Sequence, residues 1–243
     1  GRPRVRRYWE LDARRPPATH SEQDWVDLTR AALVDAVRKR NDVADVPVGV
    51  LLSGGLDSSL LVALLHEVGV ENFQTFSVGF EDQPEEKGSE FEFSDQVVER
   101  YRPRHHKFLV PNDQVLQRLP EAVDAMSEPM FGQDAVAFYL LSEQVSKSIK
   151  VVQSGQGADE VFGGYFWYPR MAADTSGTRL ERFRRHYFDR DHEEFLRMVT
   201  PAYRGEDHTA SYVGPRLDDA LSDEFLDAVL KLDVTTLIVD DPV

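Results

Sequence analysis

Polar and apolar positions along the chain fall into blocks whose period changes from element to element. Ser21 with Asp24 has the spacing of a capping box, ahead of a helix expected over residues 22–40 with Trp25, Leu28, Ala32 and Val37 on its apolar side. Residues 41–46 read as a turn that Pro47 closes. Val48-Gly49-Val50-Leu51-Leu52 is a continuous apolar run, the pattern of a strand covered on both faces. The periodicity of residues 60–68 predicts a helix behind it. Strands are expected over residues 73–80 and 105–110, with a polar loop over 81–89 and a helix over 91–101 between them. Helices are expected over 113–126 and 135–147, and a fourth strand over 149–153. Beyond Gly164 the pattern turns aromatic and charged, with helices expected over 180–189, 192–199 and 217–232. Strands alternating with helices predict βαβ units and a mostly parallel α/β sheet, doubly wound, with ligands at the carboxyl ends of its strands.

Composition narrows the classes open to such a fold. The 243 residues read as a linker over 1–20 leading into a domain over 21–243. No apolar run approaches the length of a membrane helix, and the basic first seven residues have no apolar stretch behind them to make a signal peptide. The absence of cysteine excludes disulfides, thiolate metal sites and a cysteine nucleophile, and fits a cytoplasmic location. A net charge of −15 argues against a general nucleic-acid binder.

Two Gly-rich turns carry the candidate chemistry. The first is Ser53-Gly54-Gly55-Leu56-Asp57-Ser58-Ser59, between the first strand and its helix. A helix N-terminus there presents free backbone N–H groups and a positive dipole end, which suit a pyrophosphate. Gly54 and Gly55 allow close approach, Ser53, Ser58 and Ser59 add hydroxyls, and Asp57 is suited to a divalent cation. No Gly-Lys-Ser/Thr follows and no G-x-G-x-x-G is present, so this is neither the common P-loop nor the dinucleotide fingerprint. The pattern matches the loop of enzymes that cleave ATP between its α- and β-phosphates; the plainer reading is a tight turn with capping serines. The second turn runs from Ser154 to Tyr165, Ser-Gly-Gln-Gly-Ala-Asp-Glu-Val-Phe-Gly-Gly-Tyr. Its Asp159 is a second carboxylate suited to Mg²⁺ beside Asp57, against the plainer reading that Asp159 and Glu160 cap a helix.

The order of these segments resembles the synthetase domain of glutamine-dependent asparagine synthetases. The residues that carry the resemblance are Val46 to Ser59, Thr-Phe-Ser-Val-Gly-Phe at Thr75 to Phe80, His105-His106, Ser127-Glu128-Pro129-Met130, and the second turn. It implies a sheet of the adenine-nucleotide alpha-hydrolase, or ATP-pyrophosphatase, type with additional C-terminal helices. It implies that Ser53, Gly54, Gly55, Asp57, Ser58 and Ser59 bind the pyrophosphate end of ATP. Leu51 and Val78 would contact adenine, backbone groups of Ser154 and Gly155 would fix the nucleoside, and Asp57 and Asp159 would hold Mg²⁺. Asp57, Gln156 and Asp159 are the candidate catalytic residues. The implied activity is adenylation of a substrate carboxylate and attack by ammonia, with release of AMP and pyrophosphate. The implied partners are a small carboxylate, either aspartate or a glutamine dipeptide, and ammonia from a glutaminase domain outside this chain, with a homodimer left open and neither nucleic acid nor membrane expected.

Three departures bear on this. Gln156 stands where asparagine synthetases usually have Glu; an amide hydrogen-bonds but takes no proton as a base. The variant resembles the N-acetylglutaminylglutamine amidotransferase branch and points to an acid other than aspartate. The glutaminase domain lies outside these residues, as do the downstream helical motifs and catalytic Lys of the family, so these residues alone are expected to be inactive. Two alternatives remain: another ATP pyrophosphatase, and a non-catalytic nucleotide-binding module. His105-His106 lacks a third metal ligand at suitable spacing and reads as structural. Arg182, Arg184, Arg185 and Arg190 read as a solvated helix face or a phosphate contact, and Phe166, Trp167 and Tyr168 as core or as the mouth of a substrate site.

Overall fold

The computed structural model describes residues 4–82, 88–126 and 134–240. In chain order the elements are α1 (Glu22–Asp42), β1 (Val48–Leu51), α2 (Leu56–Glu67), β2 (Gln74–Phe80), α3 (Phe91–Tyr101) and β3 (Arg104–Val110). Then come α4 (Asn112–Ala125), α5 (Asp134–Ser146), β4 (Val151–Gln153), α6 (Ala158–Phe162), α7 (Trp167–Ala173), α8 (Arg179–Tyr187) and α9 (His192–Met198). A 3₁₀ turn (Pro201–Tyr203), α10 (His208–Leu217), α11 (Phe225–Thr235) and α12 (Leu237–Asp240) follow. The chain divides into two compact units, residues 20–155 and residues 156–243 together with 1–19. The Ser127-Glu128-Pro129-Met130 segment lies outside the described residues, as does most of the polar loop over 81–89. Among the described residues no helix is long and apolar enough to cross a membrane.

The first unit is built on a four-stranded, all-parallel sheet of order β3-β2-β1-β4. The chain steps outward from β1 to β2 to β3, then crosses back to place β4 on the other side of β1. The order therefore reverses between β1 and β4, and a crevice at their carboxyl ends is the expected ligand position. Side chains alternate across the strands. Val50 and Leu52 pack with Val37 of α1, Val62, Leu64 and Leu65 of α2, and Phe73, with Val97 and Val98 of α3 against the same cluster. On the opposite face Phe76 packs with Leu141, Val145 and Ile149, and Val110 packs with Ala122, Val136 and Leu140. Helices thus cover both faces, as the doubly wound expectation required.

The second unit is helical. Its core is Tyr168, Met171, Phe183, Val213, Leu217, Phe225, Ala228, Val229 and Leu232. Part of the N-terminal stretch belongs to it: Ala13 N–H donates to Leu221 O at 2.9 Å, and Arg15 pairs with Asp227 at 2.9 Å. The single helix expected over 217–232 is two helices. α10 ends at Leu217 and α11 starts at Phe225. The intervening turn is held by Asp219, which accepts from Leu221 N–H at 2.9 Å and from Ser222 Oγ at 2.9 Å, and by a bridge from Ser222 to Ala13. α10 was hidden by Gly214 and Pro215, which argue against a helix. Burial of Val213 and Leu217 in the core overrides that local preference.

Candidate functional site

Backbone pairing continues one residue past the end of β1. Leu52 N–H donates to Phe76 O at 2.8 Å, and Leu52 O accepts from Ser77 Oγ. The chain is released at Ser53. Gly54 has φ +92°, and a Cβ there would lie 2.5 Å from Ser94 N on α3. Only glycine meets both conditions. Gly55 is the N-cap of α2 and has no side chain to offer, so no side chain caps the first-turn N–H groups. Asp57 lies in that first turn, half-buried, at the positive end of the dipole. Ser53 Oγ accepts from Gly55 N–H at 3.2 Å and sits 3.0 Å from Ser58 Oγ, which donates to Gly55 O at 3.2 Å. The two hydroxyls tie the turn into its shape. Ser58 is buried, Ser59 half-buried and Ser53 exposed.

The end of β4 comes to the same place. A Cβ on Gly155 would lie 2.9 Å from Ser58 N and 3.0 Å from Asp57 Cβ. The Gly155 backbone is seated on the first turn of α2, and a side chain there would displace the turn. Residues 53–59 and Ser154-Gly155 are therefore one locus at the carboxyl ends of β1 and β4. Leu51, paired with Phe76, and Val78, two residues further along β2, lie on adjacent strands. Their side chains are half-buried against the cluster of Phe76, Leu141, Val145 and Ile149, on the α5 face of the sheet.

Gln156 and Asp159 belong to the second unit. Gly157 caps α6 with φ +88°, so neither Asp159 nor Glu160 is the cap; both stand in the first turn. A Cβ on Gly164 would fall 1.9 Å from Asp159 Oδ1, and Gly164 N–H donates to Asp159 O at 2.9 Å. The Asp159 carboxylate lies against a backbone that only glycine leaves open. Glu160 is buried and accepts from Tyr165 OH at 2.8 Å. Burial first, then that bond to Glu160, pushes the Tyr165 hydroxyl above its usual range.

Among the described residues no cluster of three or more His, Cys, Asp or Glu side chains could hold a metal ion by itself. The donor set fits a different arrangement: a hard cation taking an oxygen from Asp57 and its remaining ligands from phosphate and water, the usual way Mg²⁺ is held. The amide donors that a phosphate would need are on the same turn as Asp57.

The asparagine synthase family model matches residues 28–243. The chain belongs to the asparagine synthase family. It is 33% identical over 193 residues to a putative asparagine synthetase (glutamine-hydrolyzing) 2 of Methanocaldococcus jannaschii, covering 79% of this chain and 34% of that protein. It is 26% identical over 231 residues to asparagine synthetase (glutamine-hydrolyzing) 3 of Bacillus subtilis, covering 89% and 35%. A putative asparagine synthetase of Mycobacterium tuberculosis is 36% identical over 167 residues, covering 68% and 25%. The chain thus spans between a quarter and about a third of the length of these relatives. A solved NH3-dependent NAD synthetase from Campylobacter jejuni is 15% identical at a TM-score of 0.42, covering 87% of this chain and 93% of that one. That likeness is too distant to add to the sheet order.

Other candidates in this chain make structural contacts. His105 Nδ1 meets Thr75 Oγ1 at 2.9 Å, and burial lowers its pKa; His106 Nε2 meets Gln74 Oε1 at 2.9 Å and its ring stacks on Phe76. Arg182 lies over the Phe225 ring at 3.9 Å and donates to Met171 O, Arg184 pairs with Asp207, and Arg185 pairs with Asp174 at 2.7 Å. Tyr168 and Trp167 pack in or against the core of the second unit, whereas Phe166 is exposed. The buried polar residues that sequence reasoning passed over include Gln153 in β4 and Asp233 in α11. The signal for Gln153 was there: an amide at the end of an apolar strand.

Proposed function

We propose that this chain carries the ATP-cleaving, amide-forming chemistry of its family. The observation that supports this most directly is Gly155 seated on the uncapped first turn of α2 at the switch point of the sheet. That arrangement gathers amide donors where a pyrophosphate is to be held. The α-phosphorus of ATP is attacked by a carboxylate oxygen of the acid substrate, the bond to the β-phosphate breaks, and pyrophosphate leaves. Ammonia then attacks the activated carbonyl carbon, a proton is lost, and AMP departs with the bridging oxygen. A carboxylate is a poor electrophile, and adenylation supplies its leaving group. The first-turn N–H groups of α2 stabilise the charge that develops on the departing pyrophosphate. Leu51 and Val78 offer the adenine contact, and Ser154 and Gly155 the nucleoside contact. Asp57 and Asp159 are the residues that would hold Mg²⁺, which supplies charge neutralisation on phosphate oxygens when bound.

Gln156 favours an acid other than aspartate, and a glutamine dipeptide is the second reading. Exchange of labelled pyrophosphate into ATP by the intact protein tests both. The expected result is Mg²⁺-dependent exchange that requires an acetylated glutamine dipeptide or aspartate; dependence on aspartate removes the dipeptide reading. Asp57→Asn is expected to abolish exchange with the fold intact by circular dichroism. Undiminished exchange in that variant would overturn the metal assignment, and ATP binding without acid-dependent exchange would overturn amide synthesis.

A further inference from the structure

Gln153 is the last residue of β4 and is paired with Val50 of β1 in the parallel register. Residues facing one another across a sheet share a face. Val50 packs with Val62, Leu64 and Leu65 of α2, so Gln153 enters the sheet on the α2 side. Two residues on, Gly155 lies against Ser58 N and Asp57. Gln153 is only 8% exposed, and its Nε2 is buried with no hydrogen-bond partner. A buried donor without an acceptor destabilises a fold, and an apolar residue of similar size avoids that cost. Its neighbours in β4 are valines, so the strand itself makes no demand for an amide.

We propose that Gln153 is an additional anion-contacting residue whose side-chain N–H donates to a phosphate oxygen held at the N-terminus of α2. The missing partner is an acceptor, the first-turn amides of α2, against which Gly155 lies two residues on, are donors of the same kind, and a pyrophosphate supplies acceptors to all of them. The inference rests on the ATP reading above and adds one specific contact to it. The unliganded protein keeps the amide at a cost in stability, and the ligand satisfies it on binding.

Isothermal titration of the intact protein with inorganic pyrophosphate and with adenosine, both with Mg²⁺, tests this in wild type, Gln153→Met and Gln153→Glu. The Met variant keeps the length and removes the donor; the Glu variant keeps the shape and offers an acceptor. Pyrophosphate affinity is expected to fall about tenfold or more in Gln153→Met and further in Gln153→Glu, with adenosine affinity unchanged. The melting temperature of the unliganded Met variant is expected to rise by about 2 °C or more, because the unpaired donor is gone. Unchanged pyrophosphate affinity in both variants would overturn the contact while leaving the ATP reading in place. Equal losses for pyrophosphate and adenosine would also overturn it, as the mark of a structural role. A wild-type protein that binds no pyrophosphate would overturn both.

Discussion

Asp233 on α11 accepts from Tyr168 OH at 2.7 Å and from Tyr187 OH at 3.1 Å, and is 2% exposed. Burial raises its pKa from 3.8 to about 6; the two tyrosine bonds oppose the rise and the charge of Glu160 adds to it. A carboxyl whose folded-state pKa is raised holds its proton more tightly in the folded chain. Its contribution to stability is full below pH 3.8 and is lost as the pH rises through about 6. A shift of that size corresponds to roughly 3 kcal/mol at most. Asp233→Asn removes the titration while keeping the shape. Its stability relative to wild type is expected to increase between pH 4 and pH 7.5, measured by urea unfolding at both values. Parallel pH profiles for the two proteins would show that Asp233 does not titrate in this window. Glu160, whose charge adds to the rise in the Asp233 pKa, accepts from Tyr165 OH, so the second Gly-rich turn does structural work as well.

Two helices of the second unit, α8 and α9, begin on reciprocal caps. Thr178 Oγ1 accepts from Glu181 N–H at 3.2 Å, and the Glu181 carboxylate accepts from Thr178 N–H at 2.7 Å. Asp191 with Glu194 starts α9 in the same way. Thr178→Ala is expected to destabilise the protein by about 1 kcal/mol, with Thr178→Ser near wild type, in chemical denaturation. An unaffected Ala variant would mean that core residues such as Phe183 hold α8 without its cap. α2 is built in the opposite way. Its cap is a glycine, its first turn is left uncapped, and its stability comes from Val62, Leu64 and Leu65 against β1. The lack of a side-chain cap is shared with α3, α4, α6 and α7.

The formal charge of −15 is spread over a chain with 43 acidic and 28 basic residues. Self-repulsion of that excess opposes the compact state and is screened by salt. Raising sodium chloride from about 20 mM to about 500 mM spans Debye lengths from roughly 20 Å to below 10 Å, and the melting temperature is expected to rise over that range. A fall would mean that pairs such as Arg118 with Glu143 and Arg185 with Asp174 outweigh the net repulsion. Acidic excess and the proposed ATP binding are compatible, because an anion at the N-terminus of α2 would be met by backbone amides rather than by the average charge.

Period and punctuation determined the alternation of strands and helices and the position of both Gly-rich turns, and the residues of those turns carried the resemblance to the family. α3 was legible to the residue because Phe91–Tyr101 has a clean apolar period between two strands. These are local properties, set by the spacing of side chains and by the backbone freedom of Gly54, Gly157 and Gly163. The break between α10 and α11 was not legible: besides the local bonds to Asp219, the turn is held by Ser222 meeting Ala13, about two hundred residues away. Strand order was not legible either: nothing near residues 151–153 says that they cross to the far side of β1. Tertiary structure decided that crossing, and with it the seating of Gly155 on α2 and the burial of the unpaired Gln153 amide. The physical reason is that a local pattern says which face of an element is apolar, whereas only the packed chain says which distant backbone that face is set against.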